Sequence, residues 1–146
     1  MKQQLSLTIA IVIAAAVFAV KADAQTSAPQ KMRADIPFAF NVGEKTLPAG
    51  VYTVAVINPS SDRKALQIRS VDGRFSAIAQ TSAAADKNAD DAKLVFRCYG
   101  DRYFFAQVDI AGDGTTLVAS RSRAERSTRR AFARTGDSTV VTVIAH

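Results

Sequence analysis

Residues 65–81, ALQIRSVDGRFSAIAQT, decide the fold class. Two runs, Ala65 to Val71 and Arg74 to Thr81, flank Asp72-Gly73, a pair that readily takes the positive φ values of a type I′ hairpin turn. A turn of that length sets the register, so Leu66 faces Ala79, Ile68 faces Ala77 and Ser70 faces Phe75, while Arg69 and Ser76 point the other way. One face is apolar and one is wet, as in an antiparallel sheet that covers a core on one side.

The same grammar extends in both directions. Lys93 to Tyr99 and Arg102 to Ile110 form a second hairpin around Gly100-Asp101. Phe96, Tyr99, Tyr103, Phe104 and Phe105 make it the densest aromatic cluster and the expected centre of the core. Upstream, Ala34, Ile36, Phe38 and Phe40 alternate through a strand from Arg33 to Phe40, and Pro37, which has no amide, places that strand at an edge or delays the start of its pairing. Asn41-Val42-Gly43 reads as a turn. Leu47-Pro48-Ala49-Gly50 is another, leading into a β-branched strand from Val51 to Ile57 that stops at the turn formers Asn58 to Asp62. Ser82 to Ala92 has no large apolar residue and reads as the longest loop.

The periodicity changes from about Leu117 to Arg134, where Leu117, Ala124 and Ala131 share one side of a helix that would dock by a thin alanine stripe. Ser122 and Glu125 have the spacing of a capping box, and Gly136 can end the helix. Ser138 to Ala145 is a final strand, apolar on both faces and therefore expected to be covered on both sides. The expected architecture is all-β: an antiparallel sandwich or flattened barrel of about seven or eight strands, with one arginine-rich helix before the last strand.

Residues 1–24 have the layout of a secretory signal peptide: Lys2, an apolar run from Leu5 to Val20 broken only by Ser6 and Thr8, and Ala22-Asp23-Ala24 before Gln25. Sixteen helical residues cover about 24 Å, short of a hydrocarbon core of about 30 Å, which favours cleavage over an anchor. The expectation is an exported protein, periplasmic or extracellular, with no transmembrane span after cleavage. Residues 25–30 are a disordered leader and residues 31–146 a single β domain. Cys98 is the only cysteine, so no disulfide can form within the chain and the core must carry the fold.

Several of these pieces occur together elsewhere. Ile36-Pro37-Phe38-Ala39-Phe40 with Val42-Gly43, Leu47-Pro48-Ala49-Gly50-Val51-Tyr52, Leu94-Val95-Phe96, Tyr99-Gly100-Asp101-Arg102-Tyr103-Phe104 and Ser122-Arg123-Ala124-Glu125-Arg126 follow one another in order. In them the chain resembles an uncharacterised family of small exported proteins of Acidobacteria and related soil bacteria. That resemblance brings no activity with it. Members often carry His-Arg before the Tyr-Gly-Asp turn, where this chain has Arg97-Cys98, so the resemblance assigns Cys98 no role.

Charge is the one functional signal. After cleavage the chain carries 17 basic and 12 acidic residues. Residues 25–118 are close to balanced, with 11 basic and 10 acidic groups, whereas residues 119–146 hold six arginines against Glu125 and Asp137. On a helix Arg123, Arg126, Arg129, Arg130 and Arg134 gather within an arc of about 140°, and guanidinium groups pair bidentately with phosphate and carboxylate. The other constellations are weaker. His146 is the only histidine and sits at the chain end, read as frayed, so no nucleophile–base pair or histidine zinc site can be built. Cys98 alternates with Phe96 and Leu94 as a packing thiol. Asp86, Asp90 and Asp91, or Asp109 with Asp113, lack calcium-loop spacing. No catalytic, cofactor or metal residue is nominated. The expected function is a non-enzymatic binding or structural protein of the cell envelope. Its basic helix face would meet anionic lipid, polysaccharide or an acidic protein, and not nucleic acid, since export removes it from that partner. The alternative is a barrel-type carrier of a small apolar ligand, which requires the aromatic hairpin to line a cavity.

Mass spectrometry of protein recovered from outside the cytoplasm is expected to find an N-terminus at Gln25; intact Met1 to His146 in the membrane fraction would contradict the cleavage reading.

Overall fold

The computed structural model describes residues 31–61, 63–85, 91–111, 114–133, 136 and 138–146; the expected signal peptide and leader, and Arg134, lie outside the described residues. The described residues form an all-β fold with one helix before the last strand. The strands are β1 (Lys31–Ile36), β2 (Phe40–Val42), β3 (Lys45–Leu47), β4 (Gly50–Val56), β5 (Ala65–Ser70), β6 (Ser76–Ala85), β7 (Lys93–Tyr99), β8 (Arg102–Ile110), β9 (Thr115–Ala119) and β10 (Thr139–Ile144), and the helix spans Arg123–Phe132. These are ten strands rather than seven or eight, chiefly because the segment after β1 breaks at Pro37 and the turn at Gly43 carries two three-residue strands of its own.

The strand order is β1-β4-β5-β6-β9-β8-β2-β3, with β7 on β8 and β10 on β7. Every ladder is antiparallel except the short β2–β8 pair, Phe40 with Tyr103 and Asn41 with Phe104, which makes the sheet mixed. β10 reaches β1 at a single bridge, Ala34 with Ala145, flanked by Arg33 N donating to His146 O at 2.8 Å and His146 N donating to Arg33 O at 2.9 Å. One bridge is not a ladder, so the sheet is not closed into a barrel. β1 is at the end of the strand order, and Pro37 lies just beyond it, between β1 and β2.

The first hairpin keeps the expected register, Leu66 with Ala79, Ile68 with Ala77 and Arg69 with Ser76, but by a different turn. Gly73 alone takes a left-handed φ, 76°, and its amide donates to Ser70 O at 2.9 Å, so Asp72 does not adopt the type I′ conformation. The Asp72 carboxylate instead accepts from Ser70 Oγ at 2.5 Å, Arg74 N at 3.1 Å and Arg74 Nε at 2.8 Å. These bonds, the Ser70 hydroxyl foremost, hold its pKa below the ordinary carboxylate value. The turn after β3 is tied differently: the Tyr52 hydroxyl, on an almost fully buried ring, donates to Pro48 O at 2.7 Å. Burial, and then the nearby Asp72 charge, push the phenol pKa up and keep it in the donating form.

Three further expectations are corrected. β6 continues through Ala85 and pairs with β9, Ala83 facing Leu117, because a lack of large apolar residues does not prevent a backbone ladder; this removes residues 82–85 from the expected loop. Leu117 does not begin the helix. It lies fully buried in β9, held between β6 and β8, and the helix starts only after Ser122. β10 is not covered on both sides: it pairs only with β7 apart from its terminal bridge, and Val140 and Ile144 are 61% and 54% exposed.

The core is built around the second hairpin. Its two-residue turn at Gly100-Asp101 places Phe96 opposite Phe105 with ring centroids 6.0 Å apart, and Phe40 adds edge contacts to Phe96 at 5.3 Å and to Tyr52 at 5.1 Å. A register shift between Val95 and Phe96 then pairs Leu94 with Val108. That bulge lets Phe105, Val108 and Ile110 share the core face even though their numbers differ in parity. Phe104 falls on the opposite face and is nevertheless buried.

Truncating Phe96 or Phe105 to alanine is expected to cost about 3–5 kcal/mol of unfolding free energy in urea titration, the range for a fully packed phenylalanine. A loss below about 1 kcal/mol would show that the pair carries little of the packing.

Candidate anion-binding helix face

The burial of Phe104 leads to the helix, which lies over the outer face of β7 and β8. Ser122 is the N-cap and its Oγ accepts from Glu125 N at 3.0 Å, one half of the expected capping box. The reciprocal half is absent because the Glu125 carboxylate turns inward. It is 2% exposed and accepts from Arg97 Nε at 2.5 Å, Arg97 Nη2 at 3.1 Å and the Tyr99 hydroxyl at 3.2 Å, with Arg121 Nε at 3.6 Å. Glu44, from the turn between β2 and β3, takes over the amides at the helix start: its Oε1 accepts from Arg123 N at 2.8 Å and Ala124 N at 3.4 Å.

The helix therefore docks through polar groups and not by the alanine stripe. Glu125 and Thr128 are its buried residues, whereas Ala124 is half-buried and Ala131 exposed. Thr128 Oγ1 accepts from Arg102 Nη1 at 2.8 Å, and the Arg102 guanidinium lies 5.5 Å from the centre of the Phe104 ring. At the far end Phe132 rests on Gly100, where an added Cβ would come within 2.4 Å of the ring. Gly100 is thus needed twice, for its φ of 67° in the hairpin turn and for the approach of Phe132. Gly136 does not end the helix: Ala133 is the C-cap, its N donating to Arg129 O at 2.8 Å, and Gly136 N donates to Phe132 O at 3.0 Å from beyond it.

With Glu125, Thr128 and Phe132 facing the sheet, Arg123, Arg126, Arg129 and Arg130 face solvent, and all four are exposed. Among the described residues none of the four stands in an ion pair; the ion pairs are Arg74–Asp72, Lys93–Asp109, Arg97–Glu125 and Arg121–Glu125. Arg126 Nη1 donates to Arg121 O at 2.5 Å. Arg134, the fifth member of the expected face, lies outside the described residues. Beside the helix start is a cleft of about 270 Å³ lined by Asn41, Glu44, Ile78, Gln80, Arg121 and Glu125. Two carboxylates line it, and Glu44 already fills the anion niche of the helix N-terminus.

The remaining sequence candidates fall into ordinary structural roles. Cys98 is buried and its Sγ donates to Gly100 O at 3.0 Å. The end at His146 is not frayed, since both its backbone groups bond Arg33, although the residue is exposed. Asp109 is fully buried, accepting from Thr116 Oγ1 at 2.7 Å and Gln107 Nε2 at 3.1 Å, with Lys93 Nζ 3.3 Å from its other oxygen. Asp91 is exposed, and Asp86, Asp90 and Asp113 lie outside the described residues. No group of three or more metal-ligating side chains occurs among the described residues, and no described helix is long and apolar enough to cross a membrane. Sequence reasoning missed Arg97, Tyr99 and Glu44 as partners of the helix, because they come from elements 26 to 80 residues away. No protein family, no characterised protein and no solved structure matches the chain.

The buried pair makes a testable demand. Arg97→Met leaves the Glu125 carboxylate in the interior with the Tyr99 hydroxyl and, at 3.6 Å, Arg121 as its one remaining cation, and is expected to lower stability by about 3–5 kcal/mol. Arg97→Met with Glu125→Leu should recover most of that loss, because the desolvated charge is removed with its partner; a double-mutant cycle by urea denaturation measures both.

Proposed function

We propose that this protein is an exported, non-enzymatic binding protein of the cell envelope whose arginine-bearing helix face engages anionic partners. The observation that carries the reading is the orientation of Glu125. It is the one acid on the helix, and in the sequence it offsets part of the arginine charge; in the fold it is withdrawn to Arg97, leaving the outward arc basic. Four guanidinium groups crowded on three turns repel one another, at a cost of a few tenths of a kcal/mol for each neighbouring pair. An incoming phosphate or carboxylate would relieve that repulsion while gaining bidentate hydrogen bonds. Export restricts the available anions to lipid headgroups, acidic polysaccharide and acidic protein. The carrier alternative receives less support. Its aromatic hairpin would have to line a space, and the rings of Phe40, Tyr52, Phe96 and Phe105 instead pack against one another.

Replacing Arg126, Arg129 and Arg130 with glutamine preserves helix propensity and removes three charges. The triple variant is expected to fold as the parent does and to lose retention on envelope fractions. The parent's own retention should weaken as ionic strength rises to the physiological range, where the Debye length is about 8 Å. Equal retention of parent and variant at low salt, or no retention of the parent, would defeat the reading.

A further inference from the structure

The outer face of the sheet that carries the helix does not end with it. β10 pairs with β7 so that Val140 faces Arg97, Thr142 faces Val95 and Ile144 faces Lys93. Opposed residues of an antiparallel pair project to the same side, and the Arg97 side chain is the one that reaches Glu125 on the helix. Val140, Thr142 and Ile144 therefore form an exposed strip on the helix-bearing face, with half-buried Val95 beside them. The two parts adjoin: Arg129 on the helix and Ser138, immediately before β10, border one shallow hollow.

We infer that the basic helix and the β10 strip act together as a docking surface for an anionic lipid membrane, an assignment that rests on the anion-binding reading above and names its partner. Each part supplies what the other lacks. An interfacial helix needs apolar groups opposite its charges; this helix turns Thr128 and Glu125 inward and offers alanine at its sides. The neighbouring strand provides uncharged β-branched side chains at the sheet edge, where soluble proteins more often place lysine or proline. Guanidinium groups meet the phosphates, and Val140 and Ile144 enter the boundary between headgroups and acyl chains. The exposed arginines beside the strip carry a charge complementary to anionic headgroups, which favours an anionic lipid surface as the occupant.

Vesicle co-sedimentation of the protein purified after export tests the assignment. The probes are phosphatidylglycerol-containing vesicles, pure phosphatidylcholine vesicles and soluble dextran sulfate. The parent should bind the anionic vesicles and dextran sulfate and leave phosphatidylcholine unbound. Val140→Thr with Ile144→Thr keeps β-branching; it should weaken vesicle binding about tenfold while dextran sulfate binding stays unchanged. The triple glutamine variant should lose about two orders of magnitude on the vesicles and also lose dextran sulfate. Matching far-UV circular dichroism and melting curves establish that the variants are folded. Dextran sulfate binding without vesicle binding, or vesicle binding indifferent to the threonine pair, overturns the lipid assignment and leaves the anion-binding reading standing. Failure of the parent to bind any polyanion overturns both. A parent dimer that the threonine pair dissociates assigns the strip to a second copy and likewise overturns the lipid assignment.

Discussion

One extra residue in β8 organises this molecule. The two-residue turn at Gly100-Asp101 brings Phe96 and Phe105 together, and the bulge beyond them shifts the register so that Val108 and Ile110 follow Phe105 into the core. Without the shift, strict alternation along β8 would send the residues after Phe105 to alternate faces in the wrong phase, and Val108 would point outward. The same strand presents Phe104 outward next to Tyr99, with ring centroids 5.8 Å apart, so the sheet has a second, smaller apolar site on its outer face. That site has to be covered, and the helix covers it.

The cover is polar at its centre. Burying Phe104 and Tyr99 favours docking, yet the helix brings Glu125 and Thr128 to the contact, and each needs a fixed partner: Arg97 and Tyr99 for the first, Arg102 for the second. An apolar helix could slide or rotate over two aromatic rings. A bidentate Arg97–Glu125 pair admits one rotation and one height, and Phe132 seated over Gly100 fixes the far end. Desolvation makes such a pair a weak source of net stability; its effect is to specify which residues face out.

Both hairpins are legible in the sequence because Asp72-Gly73 and Gly100-Asp101 interrupt strong alternation and leave one register. The end of β1 is legible because Pro37, directly after Ile36, lacks an amide. The turn type at Asp72 is not, since it depends on the Ser70 hydroxyl and the Arg74 amide capturing the carboxylate. The start of the helix is misread at Leu117 because a leucine five residues before the capping Ser122 fits either period, and only pairing on both sides by β6 and β8 makes it a strand. β10 misleads for a different reason: uniform β-branching signals a strand buried on both faces, and here it belongs to an edge whose outer face is open. Of the candidate face, the arc of arginines follows from helical spacing alone. The inward turn of Glu125 does not, because Arg97 lies 28 residues away and nothing local distinguishes a capping glutamate from a docking one.

The display of charge and the burial of charge are consequently one problem. A ten-residue helix with four exposed arginines is not stable by itself, since isolated helices below about 12–15 residues are marginal and like charges one turn apart oppose it further. Its order comes from three anchors outside its own sequence: Glu44 on its first amides, Arg97 on Glu125, and Gly100 under Phe132. Glu125 could have remained outside and eased the repulsion among the arginines; there it would have offset one of their charges and left the half-buried Arg97 without an acid. By taking the inward position it satisfies Arg97 and leaves the arc basic in the same move. Any function that runs through the outer arginines therefore depends on the Arg97–Glu125 salt bridge, and Arg97 is the residue through which the fold of the sheet determines the charge of the surface.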